Sequence, residues 1–382
     1  MTQSLLRIAF IGTRGIPASH GGFETCAEEV GWRLASRGHQ VTVYSEGRGS
    51  RVKSHRGMRI VHIPPLPLKG VDALVAATLA TLHALLLGRF DFFMVFDNAK
   101  APVLGLLALF RRSYAINTDG LGWQRDKWGR FARKYYKWTE WLVTKLCGNV
   151  VTDSTAMRAY YLSEYATDST VIEYGANEPI VSPPEEERLL LRSWGVSPMS
   201  YFLQVTRFEP ENNPLLSIQA FKASGLTCQI VVVGGARGRS EYAQQMVQEA
   251  RGVDRIVLPG FIYDSRQLSA LWRNSRAYIH GNHIGGTNPA LLQAMAAGRP
   301  VIARDCVFNR EVLGEDGYFY ERNALSLSAN MRLLDSDPER AERLAARALE
   351  HVRKYYCWNR ITDCYEQLFR RICSETQRGE AL

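Results

Sequence analysis

The sequence lacks the signatures that would assign it directly to several large protein classes. It has seven cysteines in 382 residues, and none of them forms a Cys-x-x-Cys pair. An odd, scattered set predicts neither a disulfide framework nor a metal site, and it suits a reducing cytoplasm. The absence of Gly-x-Gly-x-x-Gly argues against a dinucleotide site, and the absence of Gly-x4-Gly-Lys-Ser/Thr argues against a P-loop.

Long hydrophobic runs are also lacking. The longest, residues 71–87, is interrupted by Asp72, Thr78, Thr81 and His83, and it is shorter than the ~20 residues that a bilayer-spanning helix needs. We therefore predict a buried helix here, and any membrane contact should be peripheral. No secretory signal is expected either, because residues 1–12 run directly into a strand pattern.

The composition is that of a soluble globular protein, with 46% hydrophobic and 22% charged residues. The length predicts two or three domains, each large enough for its own core. Lys and Arg total 47 against 38 Asp and Glu, a net charge of +9. This moderate excess is compatible with nucleic acid, a membrane surface or a phosphorylated ligand, and it selects none of them.

Short apolar runs alternate with helical patterns in both halves of the chain. This alternation predicts an α/β fold made of two doubly wound parallel-sheet domains facing each other across a cleft. Three prolines within residues 177–186 indicate an interdomain linker. The predicted domains are residues 1–176 and 187–355, followed by a helical segment over 356–382. The predicted strands are 7–11, 41–44, 59–63, 92–96, 114–117, 150–152, 170–173, 201–205, 229–233, 255–258, 277–280 and 301–303.

A glycine-rich loop follows the first predicted strand. It contains Gly12, Gly15, Gly21 and Gly22 and leads into a helix predicted over residues 23–36. Glycines at a helix N-terminus leave room for a ligand against exposed N–H groups. The alternative is a plain turn that needs positive φ.

The segment from His280 to Gln293 carries the best local signal. Asn288 suits an N-cap, and Pro289 suits the first position of a helix that should end near Gly298. Unpaired N–H groups at Asn288, Ala290 and Leu291 would then face a diphosphate, and Gly285 and Gly286 would let it approach the backbone beside Thr287. The Gln293 amide, about one turn inside the helix, could bind a sugar hydroxyl. The alternative is a well-capped core helix.

Two charged residues follow predicted strands at the edge where ligands bind. Arg207 could pair with phosphate oxygens, or it could form a surface ion pair with Glu209 or Glu211. Asp119 could hold an acceptor hydroxyl, or it could form an Asx turn with Gly120. His20, His280 and His283 are possible contacts, although their spacing is not that of a metal site.

A basic aromatic helix is predicted around residues 128–142. Trp128, Phe131, Tyr135, Trp138 and Leu142 form one helical stripe, flanked by the cations Lys127, Arg130, Lys134 and Lys137. The pattern is typical of a helix lying at an anionic membrane surface. Two alternatives remain: a stripe packed into the core, or a surface for single-stranded nucleic acid, for which no recognisable module is present.

Several of these motifs, in this order, resemble the rhamnosyltransferase-type branch of the family-four retaining glycosyltransferases. They are Ile11–Ala18 with His20–Glu24, Asn117–Trp123, Arg207–Asn213, His280–Pro289 and Phe308–Leu313. The resemblance spans nearly the whole chain. It differs at the Glu-x7-Glu motif, where this chain has Gly285 and Gln293, and at a lysine position that Asn213 occupies.

The resemblance implies a GT-B fold and a retaining, metal-independent transferase without a cofactor. It implies transfer of rhamnose from dTDP-rhamnose to a saccharide, carried on a polyprenyl diphosphate at the inner face of the cytoplasmic membrane, in bacterial surface polysaccharide synthesis. Arg207 and the N–H groups near Thr287 and Asn288 would stabilise the leaving diphosphate. Gly21, Gly22 and Asp119 would position the acceptor, with Gly22 also near the donor, and the last helix would return to the first domain.

Other functions remain open from the sequence. A UDP- or GDP-sugar could be the donor on the same fold. From other classes, the candidates are an NAD-dependent oxidoreductase and an inactive sugar-binding module.

Overall fold

The computed structural model describes residues 4–18, 21–46, 52–64, 71–118, 120–125, 128–236, 238 and 240–380. Asp119, Lys127 and His20, which the sequence singled out, lie outside these residues. The chain divides into two compact units. The first comprises residues 1–124, 128–175 and 358–382, and the second comprises 125–127 and 176–357.

The first unit is built on an eight-stranded sheet in the order β3-β4-β2-β1-β5-β6-β7-β8. All neighbouring strands are parallel except β3 and β4. The central strand β5 reads Phe-Phe-Met-Val-Phe and is buried throughout, as expected of a parallel strand covered on both faces. The strands are β1 Arg7–Ile11, β2 Gln40–Glu46, β3 Ser54–His55, β4 Met58–Ile63, β5 Phe92–Phe96, β6 Tyr114–Asn117, β7 Val150–Thr152 and β8 Thr170–Val171.

Helices connect these strands. They are α1 Gly22–Ser36, α2 Asp72–Leu87, α3 Pro102–Leu109, α4 Arg130–Leu146 and α5 Thr155–Tyr165. Helix α2 therefore confirms the helix predicted over residues 71–87, but the prediction that this helix is buried holds for only part of it. Ala76, Ala80 and Ala84 pack inward, whereas Leu86 and Leu87 are exposed.

The second unit has a six-stranded parallel sheet in the order β11-β10-β9-β12-β13-β14. Its strands are β9 Tyr201–Val205, β10 Gln229–Val233, β11 Ile256–Gly260, β12 Ala277–His280, β13 Val301–Arg304 and β14 Tyr318–Tyr320. Its helices are α6 Pro184–Ser193, α7 Pro214–Ser224, α8 Glu241–Ala250, α9 Ser265–Asn274, α10 Pro289–Ala296, α11 Val307–Leu313, α12 Ala324–Ser336 and α13 Pro338–Tyr355.

The two parallel sheets confirm the predicted fold class, and every strand predicted from the sequence is present. Strands β3 and β14, which are two and three residues long, were not predicted. Pro184 opens α6 inside the predicted linker, since proline suits the first turn of a helix.

The last helix, α14, spans Trp358–Glu380 and belongs to the first unit. Its Phe369 ring stacks on Phe92 of β5 with centroids 4.3 Å apart. The hydroxyl oxygen of Tyr365, also on α14, accepts a 2.7 Å hydrogen bond from the side chain of Asn117. These buried contacts tie the end of the chain to the centre of the first sheet.

Candidate functional site

Helix α10 begins as the sequence predicts. The Asn288 side chain accepts a 3.0 Å hydrogen bond from the Ala290 N–H, and Pro289 occupies the first turn. The helix ends at Ala296, and Gly298 follows with φ of +65°. The N-terminal end of the α10 dipole thus lies at the carboxyl edge of the second sheet, where β12 ends, and it favours an anion there.

The loop that leads into α10 is bonded to the loop after β9. The Asn213 side-chain amide donates to the Gly281 carbonyl at 2.7 Å. Nδ1 of His283 lies 3.0 Å from the Glu211 carbonyl oxygen. A Cβ on Gly281 would stand 2.1 Å from the Asn212 carbonyl oxygen, so only glycine allows this approach. The structure thereby brings the Arg207 segment and the Gly285–Asn288 segment together at one edge.

Arg207 lies two residues after β9 with its side chain exposed. Among the described residues no ion pair joins it to Glu209 or Glu211, which disfavours the alternative of a surface ion pair. The carboxylate of Glu211 is instead buried, and neither of its oxygens has a hydrogen-bond partner. The exposed guanidinium of Arg207 is therefore not held by either of these two carboxylates.

A second arginine, Arg322, reaches the same place and was missed by sequence reasoning. Its Nε donates to the side-chain oxygen of Asn213 at 3.3 Å. Arg322 follows β14 and is 109 positions from Asn213 in the chain. No local pattern marks it, because parallel strands that are distant in sequence end at the same edge of the sheet.

Gln293 lies one turn inside α10, and its side-chain NH2 donates to the carbonyl of Asn177 at 3.0 Å. That donor is therefore engaged within the second unit. Its side-chain oxygen is the atom that can still accept a hydrogen bond from a hydroxyl, a narrower role than the sequence suggested.

His280 ends β12 and is fully buried, and neither ring nitrogen has a partner. Burial lowers the pKa of its imidazole to about 3, so the ring is neutral at ordinary pH. A neutral ring beneath the sheet edge supports the fold of the loop and does not supply charge to an anion.

Gly21 and Gly22 form the start of α1 in the first unit. Gly21 is the N-cap residue with φ of +107°. A Cβ there would meet the Glu24 carboxylate at 2.0 Å, and the other oxygen of this carboxylate accepts a 3.0 Å hydrogen bond from the Arg14 N–H. The glycine thus lets Glu24 fold back over the glycine-rich loop.

Helix α4 exposes large aromatic side chains beside basic ones. Phe131 is 91% exposed, and Trp138 and Trp141 are about half exposed. Leu142 packs against the core instead, and the Tyr135 hydroxyl donates to the Ala99 carbonyl. The predicted stripe is therefore divided between the core and the solvent.

Lys137 differs from the other predicted cations on α4. Its ammonium lies 2.8 Å from a Glu164 carboxylate oxygen and 2.7 Å from the Tyr160 hydroxyl. It also stands over the rings of Trp123, Tyr160 and Tyr165. Arg130 and Lys134, by contrast, are exposed. Lys137 is thus engaged within the first unit.

Two family models match the chain. Residues 196–351 match the glycosyl transferases group 1, and residues 100–177 match a domain of unknown function, DUF1972. The first match covers most of the second unit, including Arg207, Arg322 and α10.

Solved structures and a curated protein are also similar. Sucrose-phosphate synthase from Thermosynechococcus elongatus has a TM-score of 0.83 at 18% identity, over 97% of this chain and all of that chain. Anabaena HepE in complex with UDP and glucose has a TM-score of 0.78 at 15% identity, over 96% of this chain and all of that chain. O-antigen chain mannosyltransferase B of Escherichia coli is 23% identical over 219 residues, which are 56% of this chain and 57% of that protein.

The family model and the fold agree. Residues 196–351 are similar to the group 1 glycosyl transferases, and the chain has the two-domain GT-B fold. Among the described residues, no helix has both the length and the hydropathy to cross a bilayer.

Proposed function

We propose that this protein transfers a hexose from a nucleoside-diphosphate sugar to a saccharide acceptor during synthesis of a bacterial surface polysaccharide. The observation that carries the proposal is the junction of two loops in the second unit. There the capped N-terminus of α10, Arg207 and Arg322 occupy one edge of one sheet.

The charges at this edge suit a departing diphosphate. Cleavage of the bond between sugar and phosphate leaves negative charge on the diphosphate oxygens. The N–H groups at the start of α10 and the guanidinium of Arg207 would stabilise that charge as it develops. Arg322, held by Asn213, would add a second cation. Neutral His280 would contribute none.

We further propose retention of the donor configuration without a metal. The sugar would pass through an oxocarbenium-like state, and the acceptor hydroxyl would attack the face from which the diphosphate leaves. The leaving phosphate oxygen would take the proton of that hydroxyl. Asp119, Gly21 and Gly22 would position the acceptor.

Rhamnose from dTDP-rhamnose is our first candidate donor, on the resemblance of the sequence motifs. The Escherichia coli relative is named a mannosyltransferase, and the Anabaena structure holds UDP and glucose. Mannose and glucose donors are therefore the competing candidates. Gln293 replaces a carboxylate of the related motif and would accept, through its side-chain oxygen, a hydrogen bond from a ribose or sugar hydroxyl.

We also propose that the first unit binds the inner face of the cytoplasmic membrane, with a lipid-diphosphate-linked saccharide as the acceptor. Helices α2, α3 and α4 pack side by side. These helices and the residues just after α3 expose apolar and basic side chains, which together we call the α2–α4 surface. Its members are Leu86, Leu87, Leu109, Phe110, Arg111, Arg112, Arg130, Phe131, Lys134, Trp138, Trp141 and Lys145.

This surface fits an anionic bilayer better than a neutral partner. Aromatic rings such as Trp138 and Trp141 favour the headgroup region, and each cation there contributes about 1 kcal/mol near an anionic leaflet. Lys137 is left out of this role because Glu164 and Tyr160 hold it.

Product analysis tests the transferase proposal. The protein is incubated with dTDP-rhamnose, GDP-mannose and UDP-glucose and a synthetic polyprenyl-diphosphate saccharide, and the products are identified by mass spectrometry. We expect one added hexose, and we expect Arg207→Met to remove most of the activity. Arg192→Met is the matched control, because Arg192 is an exposed arginine on α6 of the same unit.

No transfer from any donor by a protein that also binds none of the three nucleotides would refute the proposal. Binding of NAD would favour the oxidoreductase, and binding of saccharide without transfer would favour the sugar-binding module.

Vesicle flotation tests the membrane proposal. We expect the protein to float with phosphatidylglycerol vesicles and not with phosphatidylcholine vesicles. Phe131→Ser and Lys134→Ser should each reduce flotation. The control is Lys354→Ser, which removes an exposed cation from α13 of the second unit. Equal flotation of all variants, or a gel shift with RNA in place of flotation, would contradict the membrane proposal.

A further inference from the structure

Buried polar atoms without hydrogen-bond partners line the carboxyl edge of the first sheet. Glu46 ends β2, Thr13 follows β1, Asn98 follows β5 and Asn117 ends β6. Each has a buried side-chain oxygen without a hydrogen-bond partner, and the amide nitrogen of Asn98 has none either. These four strands are neighbours in the sheet. The unpartnered groups therefore form a row across its centre.

The glycine-rich loop brings part of this row together. A Cβ on Gly12 would stand 2.4 Å from the Phe96 carbonyl oxygen, and a Cβ on Gly15 would meet the Ser45 side chain at 1.7 Å. The loop therefore lies directly against the ends of β5 and β2. Thr13 therefore lies between the end of β2, which is Glu46, and the end of β5, which Asn98 follows.

Asp97 stands in the same place with an unusual backbone. Its φ of +73° is rare for a residue other than glycine, and such strain is concentrated at functional sites. Its carboxylate lies 2.6 Å from the ammonium of Lys100, which is nearly buried. Ala99 N–H also donates to it, at 3.0 Å.

The position of these groups points to a ligand. A buried polar atom without a partner destabilises the fold, so several in a row are rare in a region that only supports the fold. The row also lies where the chain order of the sheet reverses, between β1 and β5. Ligands of open α/β sheets bind at this point, beyond the carboxyl ends of the strands.

The chemistry of the row selects the kind of ligand. Asp97 pairs with the ammonium of Lys100. The charges that act on Glu46 are those of Lys100, Asp97, Arg14 and Glu24, so carboxylates outnumber cations here, which disfavours a phosphate. Carboxylate, amide and hydroxyl oxygens accept hydrogen bonds from hydroxyl groups. A neutral molecule with several hydroxyls, such as a sugar ring, matches this set.

We propose that Glu46 and Asp97 bind hydroxyl groups of the acceptor saccharide in the first unit, above a polar floor formed by Thr13 and Asn98. The floor groups would act on the sugar directly or through bound water. Lys100 is a positioning residue that holds Asp97. This inference rests on the proposed transferase function and adds the acceptor contacts to it.

The proposal carries a pH dependence. Burial raises the pKa of Glu46 to about 7, with Lys100 and Arg14 opposing the rise and Asp97 and Glu24 adding to it. The carboxylate form, which accepts from a hydroxyl, therefore forms as the pH rises through about 7. The KM for the acceptor should fall over the same range, and Glu46→Gln should remove that dependence.

Steady-state kinetics with the polyprenyl-diphosphate saccharide test the inference. Asp97→Asn and Glu46→Gln should raise the acceptor KM by about tenfold, since a charge-assisted hydrogen bond becomes a neutral one. The donor KM and the affinity for the nucleoside diphosphate should not change. Asp91→Asn is the matched control, because Asp91 precedes β5 at its opposite end, where it pairs with Arg7. Its acceptor KM should equal that of the wild type.

The outcomes separate the two proposals. If the wild type transfers sugar and both variants keep its acceptor KM, the inference is wrong and the transferase function stands. If the wild type transfers nothing, the proposed function fails and the inference fails with it. Should Asp97→Asn not fold, as judged by circular dichroism, Glu46→Gln alone decides through its acceptor KM and its pH profile.

Discussion

Asn213 should be a critical residue for the stability of the second unit. Its side chain donates to the Gly281 carbonyl at 2.7 Å and accepts from Arg322, while its backbone is left-handed with φ of +53°. Loss of the side chain leaves the buried Gly281 carbonyl without this donor, at a cost of about 1–3 kcal/mol. Alanine at a left-handed position costs about 1 kcal/mol more than asparagine or glycine.

Two substitutions separate these contributions. Asn213→Gly removes the side chain but tolerates the backbone, so it should lower the free energy of unfolding by about 1–3 kcal/mol. Asn213→Ala also strains the backbone and should lower it by about 2–4 kcal/mol. Equilibrium urea unfolding, followed by circular dichroism and tryptophan fluorescence, measures both values.

The difference between the two variants is the sharpest test. Alanine should be the less stable by about 1 kcal/mol. Equal stabilities would mean that the Cβ of alanine adds no strain to the left-handed backbone at position 213. Wild-type stability in both variants would mean that its bonds to Gly281 and Arg322 do not hold the two loops together.

Three further predictions concern single side chains. Asn288→Ala should cost about 1 kcal/mol of stability by removing the α10 cap, whereas Asn288→Ser should keep most of it; equal urea midpoints would contradict this. Gly12→Ala should destabilise by roughly 2 kcal/mol or more, since its Cβ would stand 2.4 Å from the Phe96 carbonyl oxygen at φ of +93°; an unchanged melting temperature would refute the clash. Burial opposes ionisation of Glu366, but hydrogen bonds from Arg37, Arg370 and His39 outweigh it and lower the pKa of this carboxyl to about 2. The ion pairs should therefore stabilise the fold above about pH 4.5 and lose this effect as the pH falls towards 2, and Glu366→Gln should flatten that decline in thermal unfolding.

Local signals account for the elements that the sequence predicted well. Strand β5 consists of five consecutive apolar residues. A short run of this kind is typical of a strand that is buried on both faces of a parallel sheet. Asn288, Pro289 and Gly298 supply the cap, the first turn and the stop of α10, and each acts through backbone groups only a few positions away. Such features need no knowledge of the rest of the chain, which is why the edge that holds α10 was predictable.

Exposure was harder to predict than the helices themselves. The leucines at the end of α2 were predicted to be buried, whereas the rings of Phe131 and Trp138 were predicted to suit either a core or a surface. A helical stripe shows which residues share a face, but it does not show what that face meets. Only the packing of α2, α3 and α4 decided which of these side chains remain in contact with solvent.

Contacts between distant segments were decided by the tertiary structure alone. Arg322 meets Asn213, and Thr13 is held between the ends of β2 and β5, because parallel strands far apart in sequence end at a common edge. The engagement of Lys137 on α4 by Glu164 on α5 and by three rings likewise depends on the packing of separate elements. The sequence by itself therefore determined the strands, the capped helix and the fold class, since these follow from neighbouring residues. The partners of charged groups that are distant in sequence, such as Arg322 and Lys137, were determined only when the folded chain brought separate elements side by side.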